Sequence, residues 1–353
     1  MIQTFSSTIR RKEMDAVLTC MVDEKIGPGE LNQRLIQTVK EFFSCDGAVA
    51  LRSPETALKY AFRALDFPHE NKVMISALSP SWYLSALEDL RYEPLILDVD
   101  ESTGLVSPAI VEQGIKDGGR LLLLHETMGI LPDMAGIQAL GIPVIEDVSQ
   151  SAGAVAGESS DNPGQAADGQ KKAGLFGVYS FMGLEEHDII TGGGGAVLLS
   201  PGRREWIVLK KFTDSCPETD LLPDINSSLA WVQLKEFKRN EAVRRELYSI
   251  FQRSLLAGRH KTYIRDPENG AAAWSFPVVL TGNFNDVKKY AARKDIAVSL
   301  AYEKSVAAVL GENLPEPVKT ARSLLLRCVL FPLYPRLSHA SAVKISKVLG
   351  TLP

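Results

Sequence analysis

Four short apolar runs alternate with polar or helical stretches in the first half of the chain, and this alternation constrains the fold most strongly. The runs are VMISAL (73–78), PLILDV (94–99), RLLLLH (120–125) and PVIEDV (143–148). Apolar residues at helical spacing occupy 31–43 and 57–65. Strands that alternate with helices predict an α/β fold, a mostly parallel sheet with helices on both faces.

Ligands of such sheets bind beyond the carboxyl ends of the strands. His125, Asp147, Gln150 and Ser180 are expected at or just after strand ends. The sequence therefore predicts the chemistry of the protein at this edge of the sheet.

The composition excludes several classes of protein. A length of 353 residues is typical of two domains, and a net charge of −4 does not favour a nucleic-acid partner or a membrane surface. No apolar run is long enough to cross a bilayer, and the first residues lack the apolar core of a signal peptide. The four cysteines are scattered, which argues against structural zinc or a disulfide framework. A cytoplasmic protein is expected.

The second half of the chain predicts a smaller α/β domain. Residues 157–172 are polar and indicate a surface insertion, and 227–256 have the pattern of one long amphipathic helix. A strand, a helix, a short strand and a final helix follow. We predict a large domain over residues 1–235 and a small C-terminal domain over 236–353.

Five segments, taken in order, resemble the DegT/DnrJ/StrS family of nucleotide-sugar aminotransferases, which depend on pyridoxal phosphate (PLP). They are RSPETALKYAFRAL (52–65), LHETMGILPDM (124–134), VIEDVSQSAGA (144–154), SFMGLEEHDIITGGGGAV (180–197) and FPLYPRLSHASAVKI (331–345). The resemblance runs nearly end to end. It implies the type I PLP-transferase fold and a homodimer with active sites at the subunit interface.

The resemblance also implies roles for individual residues. Asp147 would pair with the pyridine nitrogen of the cofactor and keep it protonated. Gln150 would approach the ring hydroxyl, Trp82 would stack on the ring, and Ser180 and Ser53 would contact the phosphate. Each has an alternative interpretation: a capping aspartate, a loop amide, a core aromatic and structural serines.

Two segments depart from the family pattern at the phosphate end. The family's Ser-Gly-Thr turn is Ser53-Pro54-Glu55 here, and proline offers no N–H to an anion while glutamate repels it. Glu55 would equally serve as a helix-terminal carboxylate. The family's Asn-Tyr-Arg aligns with Thr219-Asp220-Leu221 across a gap.

The third departure concerns the lysine that holds PLP in the family, because His187 occupies the matching position. Imidazole cannot form the imine, but it can act as a base. A branch of sugar 3-dehydratases in the family carries histidine there and uses the aminated cofactor, PMP. His125 would lie near the sugar, and Lys171 or Lys172 could in principle reach the pocket, although both suit a surface position.

The sequence leaves three hypotheses. The first is an enzyme acting on a nucleotide-linked keto or amino sugar with PLP or PMP, bound without a covalent bond, in a dehydratase-like reaction with His187 as the base. The second is a catalytically inactive homologue with a binding or regulatory role. The third is a cofactor site reused for another anionic ligand. No metal role is expected.

Overall fold

The computed structural model describes residues 1–156, 170–264 and 270–353, which form twelve strands and thirteen α-helices. The strands are β1 (Gly47–Leu51), β2 (Lys72–Ser76), β3 (Pro94–Leu97), β4 (Gly119–His125), β5 (Val144–Asp147), β6 (Val155–Ala156), β7 (Lys171–Lys172), β8 (Tyr179–Gly183), β9 (Ala196–Ser200), β10 (Phe276–Val279), β11 (Ser299–Leu300) and β12 (Cys328–Phe331). The helices are α1 (Arg11–Val22), α2 (Glu30–Phe43), α3 (Pro54–Leu65), α4 (Trp82–Asp89), α5 (Pro108–Lys116), α6 (Met134–Ala139), α7 (Arg203–Thr213), α8 (Asp224–Lys235), α9 (Phe237–Leu255), α10 (Phe284–Ala292), α11 (Val306–Leu310), α12 (Lys319–Arg327) and α13 (His339–Leu349).

Seven strands form the main sheet in the order β1-β9-β8-β5-β4-β2-β3. Strand β9 is antiparallel to both of its neighbours, and the other pairings are parallel. The four apolar runs of the sequence are β2, β3, β4 and β5. The predicted α/β fold with a mostly parallel sheet is confirmed.

Helices cover both faces of this sheet. Successive residues of a strand point to opposite sides, so each strand contributes to two cores. On one face, Leu121 and Leu123 of β4 pack in a core with residues of α3, α4 and α7. On the other, Leu122 and Leu124 pack in a core with residues of α2, α5 and α6. Asp147 lies on the first face, which is called the α3 face below.

The C-terminal part contains a three-stranded antiparallel sheet in the order β10-β12-β11. Its buried residues form a separate core with α9, α10 and α13. The sequence pattern missed β12, the central strand of this sheet. The domain boundary at residues 235 and 236 stays a prediction.

The prediction of one helix over 227–256 is wrong at one residue. Glu236 separates α8 from α9 with φ −88° and ψ 1°. The break lets α8 pack on α1 and α2 while α9 packs on α13. The local sequence contains neither proline nor glycine at this point, so tertiary packing overrides a continuous helical pattern.

Most of the predicted polar insertion (157–169) lies outside the described residues. Its described flanks pair as a short antiparallel ribbon, in which Val155 faces Lys172 and Ala156 faces Lys171. Across the described ranges, we find no helix with the length and apolarity needed to span a membrane.

Candidate functional site

Strands β4 and β5 bring His125 and Asp147 together. The two residues end neighbouring parallel strands and are directly paired in register. The Nδ1 atom of His125 donates to Oδ2 of Asp147 over 2.9 Å, and the two side chains are 4% and 2% exposed. The expectation that both residues lie at the carboxyl edge of the sheet is confirmed.

Four donors surround the carboxylate of Asp147. Besides His125, the hydroxyl of Tyr83 donates to Oδ2 over 2.6 Å. The other oxygen, Oδ1, accepts from the backbone N–H of Ser149 at 3.0 Å and from the Ser149 hydroxyl. Burial alone would raise the pKa of Asp147, but His125, Ser149 and Tyr83 together hold it below its usual value. Asp147 is therefore an ionised, internally bonded carboxylate.

The aromatic side chains beside this carboxylate come from the start of α4 and from β8. Trp82 is half-buried, and its indole contacts the rings of Tyr83 and Phe181 edge-on, with centroids 4.6 and 6.0 Å away. Phe181 pairs with Asp147 in register and lies on the same face. Trp82 thus belongs to the α3 face near Asp147, as the stacking prediction requires.

The loop that follows β8 directs Asp188, not His187, towards Asp147. Oδ2 of Asp188 accepts from the N–H of Glu185 at 2.8 Å. A Cβ atom placed on Gly183 would clash with that carboxylate and come within 2.7 Å of Ser149 Oγ, so both side chains lie over Gly183. Burial, with added repulsion from Asp147 and Glu185, raises the pKa of Asp188 to about 8.

His187 lies on the outside of the same loop. Its ring is exposed and stacks on Phe5, with centroids 4.6 Å apart and planes 20° apart. Its carbonyl accepts from the indole N–H of Trp274 at 2.7 Å. The structure therefore does not bring His187 to the Asp147 cluster, and its role as a base stays a prediction.

Three other predicted site residues make local contacts. Oε1 of Gln150 accepts from the N–H of Met128 at 2.8 Å, which fixes the turn after β4. Ser53 caps α3, since its hydroxyl accepts from the N–H of Thr56 at 3.1 Å. The Ser180 hydroxyl donates to the carbonyl of Gly174 at 2.7 Å. Their roles in cofactor binding stay predictions.

The expectation that Ser180 lies at a strand end is wrong. Ser180 is the second residue of β8 and pairs with Glu146, so it faces the side of the sheet opposite to Asp147. Strand β8 continues past Ser180 to Gly183, and residues 180–183 pair with β9.

The segment 219–221 packs on its own chain. The carbonyl of Asp220 accepts from the N–H of Arg52 at 2.8 Å, and its carboxylate accepts from the hydroxyl of Tyr60 at 2.7 Å.

The two lysines of β7 also make their contacts elsewhere. Lys172 donates to the carbonyl of Phe42, and Lys171 lies 4.9 Å from the ring centroid of Phe176.

Sequence reasoning missed Tyr83, Ser149 and the inward position of Asp188. The Asp-x-Ser spacing of Asp147 and Ser149 is typical of an aspartate that accepts from the N–H two residues later, and it could have revealed Ser149. Tyr83 adjoins Trp82 and reads as an ordinary core aromatic. The direction of Asp188 depends on the conformation of the loop, for which the sequence carries no signal.

The fold is the type I fold of the PLP-dependent aminotransferases. A family model described as "DegT/DnrJ/EryC1/StrS aminotransferase family" matches residues 7–349. The chain therefore belongs to the DegT/DnrJ/EryC1/StrS aminotransferase family, and the predicted membership is confirmed.

Several solved structures share the fold over nearly the whole chain. The aminotransferase TlmJ from Streptoalloteichus hindustanus is 15% identical with a TM-score of 0.87, covering 99% of this chain and 98% of that one. PseC from Helicobacter pylori, an aminotransferase of pseudoaminic acid biosynthesis, is 16% identical with a TM-score of 0.84, covering 99% and 98%. A GDP-4-keto-6-deoxymannose-3-dehydratase with bound GDP-perosamine is 15% identical with a TM-score of 0.83, covering 99% and 100%.

The residues present do not fit PLP or PMP, the cofactors of this family. Both oxygens of Asp147 already accept two hydrogen bonds each, so no acceptor position remains for a pyridinium N–H. At the phosphate end, Pro54 has no N–H, the N–H of Thr56 is used by Ser53, and Glu55 adds a negative charge.

Within the described ranges, no group of three or more His, Cys, Asp or Glu side chains could hold a metal ion.

Proposed function

We propose that this chain is a catalytically inactive homologue of the sugar aminotransferases, which binds a nucleotide-linked sugar without transforming it. The loop 184–188 carries the proposal. It contains no primary amine, and its inward side chain is the carboxyl group of Asp188. Lysine-dependent transamination requires an amine at the cofactor, and Lys171 and Lys172 make their contacts elsewhere.

The substrate class comes from the relatives. One of the similar structures is described with bound GDP-perosamine, and another acts in pseudoaminic acid biosynthesis. Reuse of the cofactor site for another anion is disfavoured, since Glu55 and Glu185 add negative charge to the altered segments. A cytoplasmic location and the lack of a nucleic-acid partner remain predictions from the charge and composition.

A dehydratase-like reaction with His187 as the base is the second candidate, and the likeness to a 3-dehydratase favours it. This candidate requires PMP beside Asp147 and the imidazole facing the sugar. The exposed ring of His187, stacked on Phe5, and the saturated carboxylate of Asp147 both count against it.

The proposal predicts binding without turnover. Calorimetry with a GDP-linked and a UDP-linked hexose should give saturable binding of at least one of them in the absence of any cofactor. Incubation with glutamate, PLP and a nucleotide-linked keto sugar should give no amino sugar by mass spectrometry. Amino-sugar formation by the wild-type protein would sink the proposal.

We also propose that the protein is a homodimer, because α1 presents an apolar stripe to the outside. Met14, Leu18 and Met21 recur at helical spacing and so share one face of α1. They are 56%, 57% and 57% exposed. Together with Ile9 and Leu229 they line an apolar groove. Such a stripe on a monomer is typical of a protein interface.

This second proposal predicts that Leu18→Glu converts a dimer to a monomer, because it places a charge in the apolar contact. Light scattering coupled to size-exclusion chromatography measures the change. Leu326→Glu is the matched control, as Leu326 is 67% exposed on α12 and lies outside the groove. A wild-type protein that is monomeric at all concentrations would contradict the proposal.

A further inference from the structure

We infer that Tyr83 is the residue that excludes the pyridine ring of PLP and PMP from this site. The inference deepens the proposed function. Absence of a lysine prevents only covalent attachment, whereas the Tyr83 hydroxyl also prevents the non-covalent binding that a dehydratase-like reaction would need. The Tyr83 hydroxyl therefore blocks the cofactor binding that the dehydratase-like candidate needs and the inactive homologue does not.

The geometry of Asp147 supports this assignment. A carboxylate offers about four acceptor positions. Three of them are filled by His125 and by the backbone and hydroxyl groups of Ser149. Tyr83 fills the last one at 2.6 Å, the shorter of the two contacts to Oδ2. A pyridinium N–H can reach Asp147 only by displacing one of these donors.

Tyr83 cannot easily move aside. It is 0% exposed in the first turn of α4, between the edge of the Trp82 ring and the ring of His125. Its pKa is raised well above the usual value by burial and by Asp147, so its hydroxyl remains a neutral donor. Displacement by a cofactor would leave a buried hydroxyl without a partner, which weakens binding by roughly ten- to a hundredfold.

The Asp188 carboxyl adds to the exclusion. It lies beside Ser149 over Gly183, and the nearby charge of Asp147 helps to raise its pKa. The inward side chain of the loop is thus a hydrogen-bonded carboxyl group, whereas a cofactor aldehyde would need an amine. Tyr83 blocks access of the cofactor to Asp147. Asp188 occupies the side of the site that faces the loop 184–188.

The test measures PLP and PMP binding to the full chain by absorbance titration and by thermal shift. Wild-type protein should bind neither cofactor at millimolar concentration. Tyr83→Phe, which frees one acceptor position of Asp147, should bind PMP with at least a tenfold lower Kd than wild type. Tyr83→Met removes the hydroxyl with a side chain that adapts to the space, and should behave in the same direction.

Tyr60→Phe is the matched control, because the Tyr60 hydroxyl also donates to an aspartate, Asp220, at 2.7 Å. It should bind no more cofactor than wild type. Equal PMP affinity of wild type and Tyr83→Phe would overturn the inference, as would failure of both folded Tyr83 variants to bind. Neither result bears on transamination, which the glutamate assay measures separately.

Discussion

Unfolding of the Glu126→Gln variant is expected to require more free energy than unfolding of the wild type at neutral pH, because the wild type must lose the proton of Glu126 when it unfolds there. Glu126 follows β4 directly after His125, and Glu146 precedes Asp147 in β5. Both carboxyl groups are 0% exposed and lie close enough to share a hydrogen bond. Two buried carboxyl groups can share a hydrogen bond only when one is protonated.

Glu126 is the protonated partner. Burial and the adjacent Glu146 raise its pKa well above the usual value. Glu146 accepts the backbone N–H groups of Gly174 and Gly177, which suits an ionised carboxylate, while no donor within the described residues bonds to Oε1 of Glu126. The pair lies on the face opposite to Asp147 and holds the strands that carry the candidate site.

The sign of the pH dependence follows from the raised pKa. In the unfolded chain Glu126 loses its proton near pH 4.3, about the value of a free glutamate. Above that pH the folded chain still holds the proton, so stability falls by about 1.4 kcal/mol per pH unit until the folded pKa is passed. Glutamine donates the same hydrogen bond without a proton to lose. Its advantage should be absent at pH 4 and grow towards pH 7.

Urea unfolding of both proteins at a series of pH values measures this difference. Glu146→Gln is the matched control, since it removes the ionised acceptor of two N–H groups and should destabilise the chain at every pH in the series. A Glu126→Gln variant whose stability changes with pH as the wild type does would contradict the assignment of the proton.

The main sheet follows closely from the sequence, because strands buried on both faces require continuous apolar runs. The runs at 120–125 and 143–148 correspond to β4 and β5, and they place His125 and Asp147 side by side. The break at Glu236 and the strand β12 were not predictable in this way. Both depend on packing between segments that are distant in the sequence, which local propensity does not encode.

The candidate site also has residues that the sequence predicts and residues that it does not. Asp147, His125 and Trp82 follow from motif position, because strand ends and helix starts fix where their backbones lie. The hydroxyl of Tyr83 and the carboxyl of Asp188 depend on side-chain direction and loop conformation. A motif aligns His187 with a lysine, but alignment of a backbone position does not determine which neighbouring side chain turns inward.

Lysine at position 188, and not at position 187, is therefore expected to react with PLP when Tyr83 is also changed. In the Tyr83→Phe/Asp188→Lys variant, the new amine replaces a side chain that lies beside Ser149 and is close to Asp147. A cation there is attracted by Asp147 and Glu185, the same charges that raise the pKa of Asp188. Borohydride reduction in the presence of PLP should leave a stable adduct, located by peptide mass spectrometry.

The Tyr83→Phe/His187→Lys variant is the matched control and should give no adduct at the new lysine. The side chain at position 187 lies outside the site against Phe5, and Trp274 holds the backbone carbonyl. Lys171 and Lys172 are present in both variants and report on non-specific labelling. A stronger adduct at position 187 than at position 188 would show that the loop can reverse these directions, and His187 would then regain its place as the residue facing the substrate.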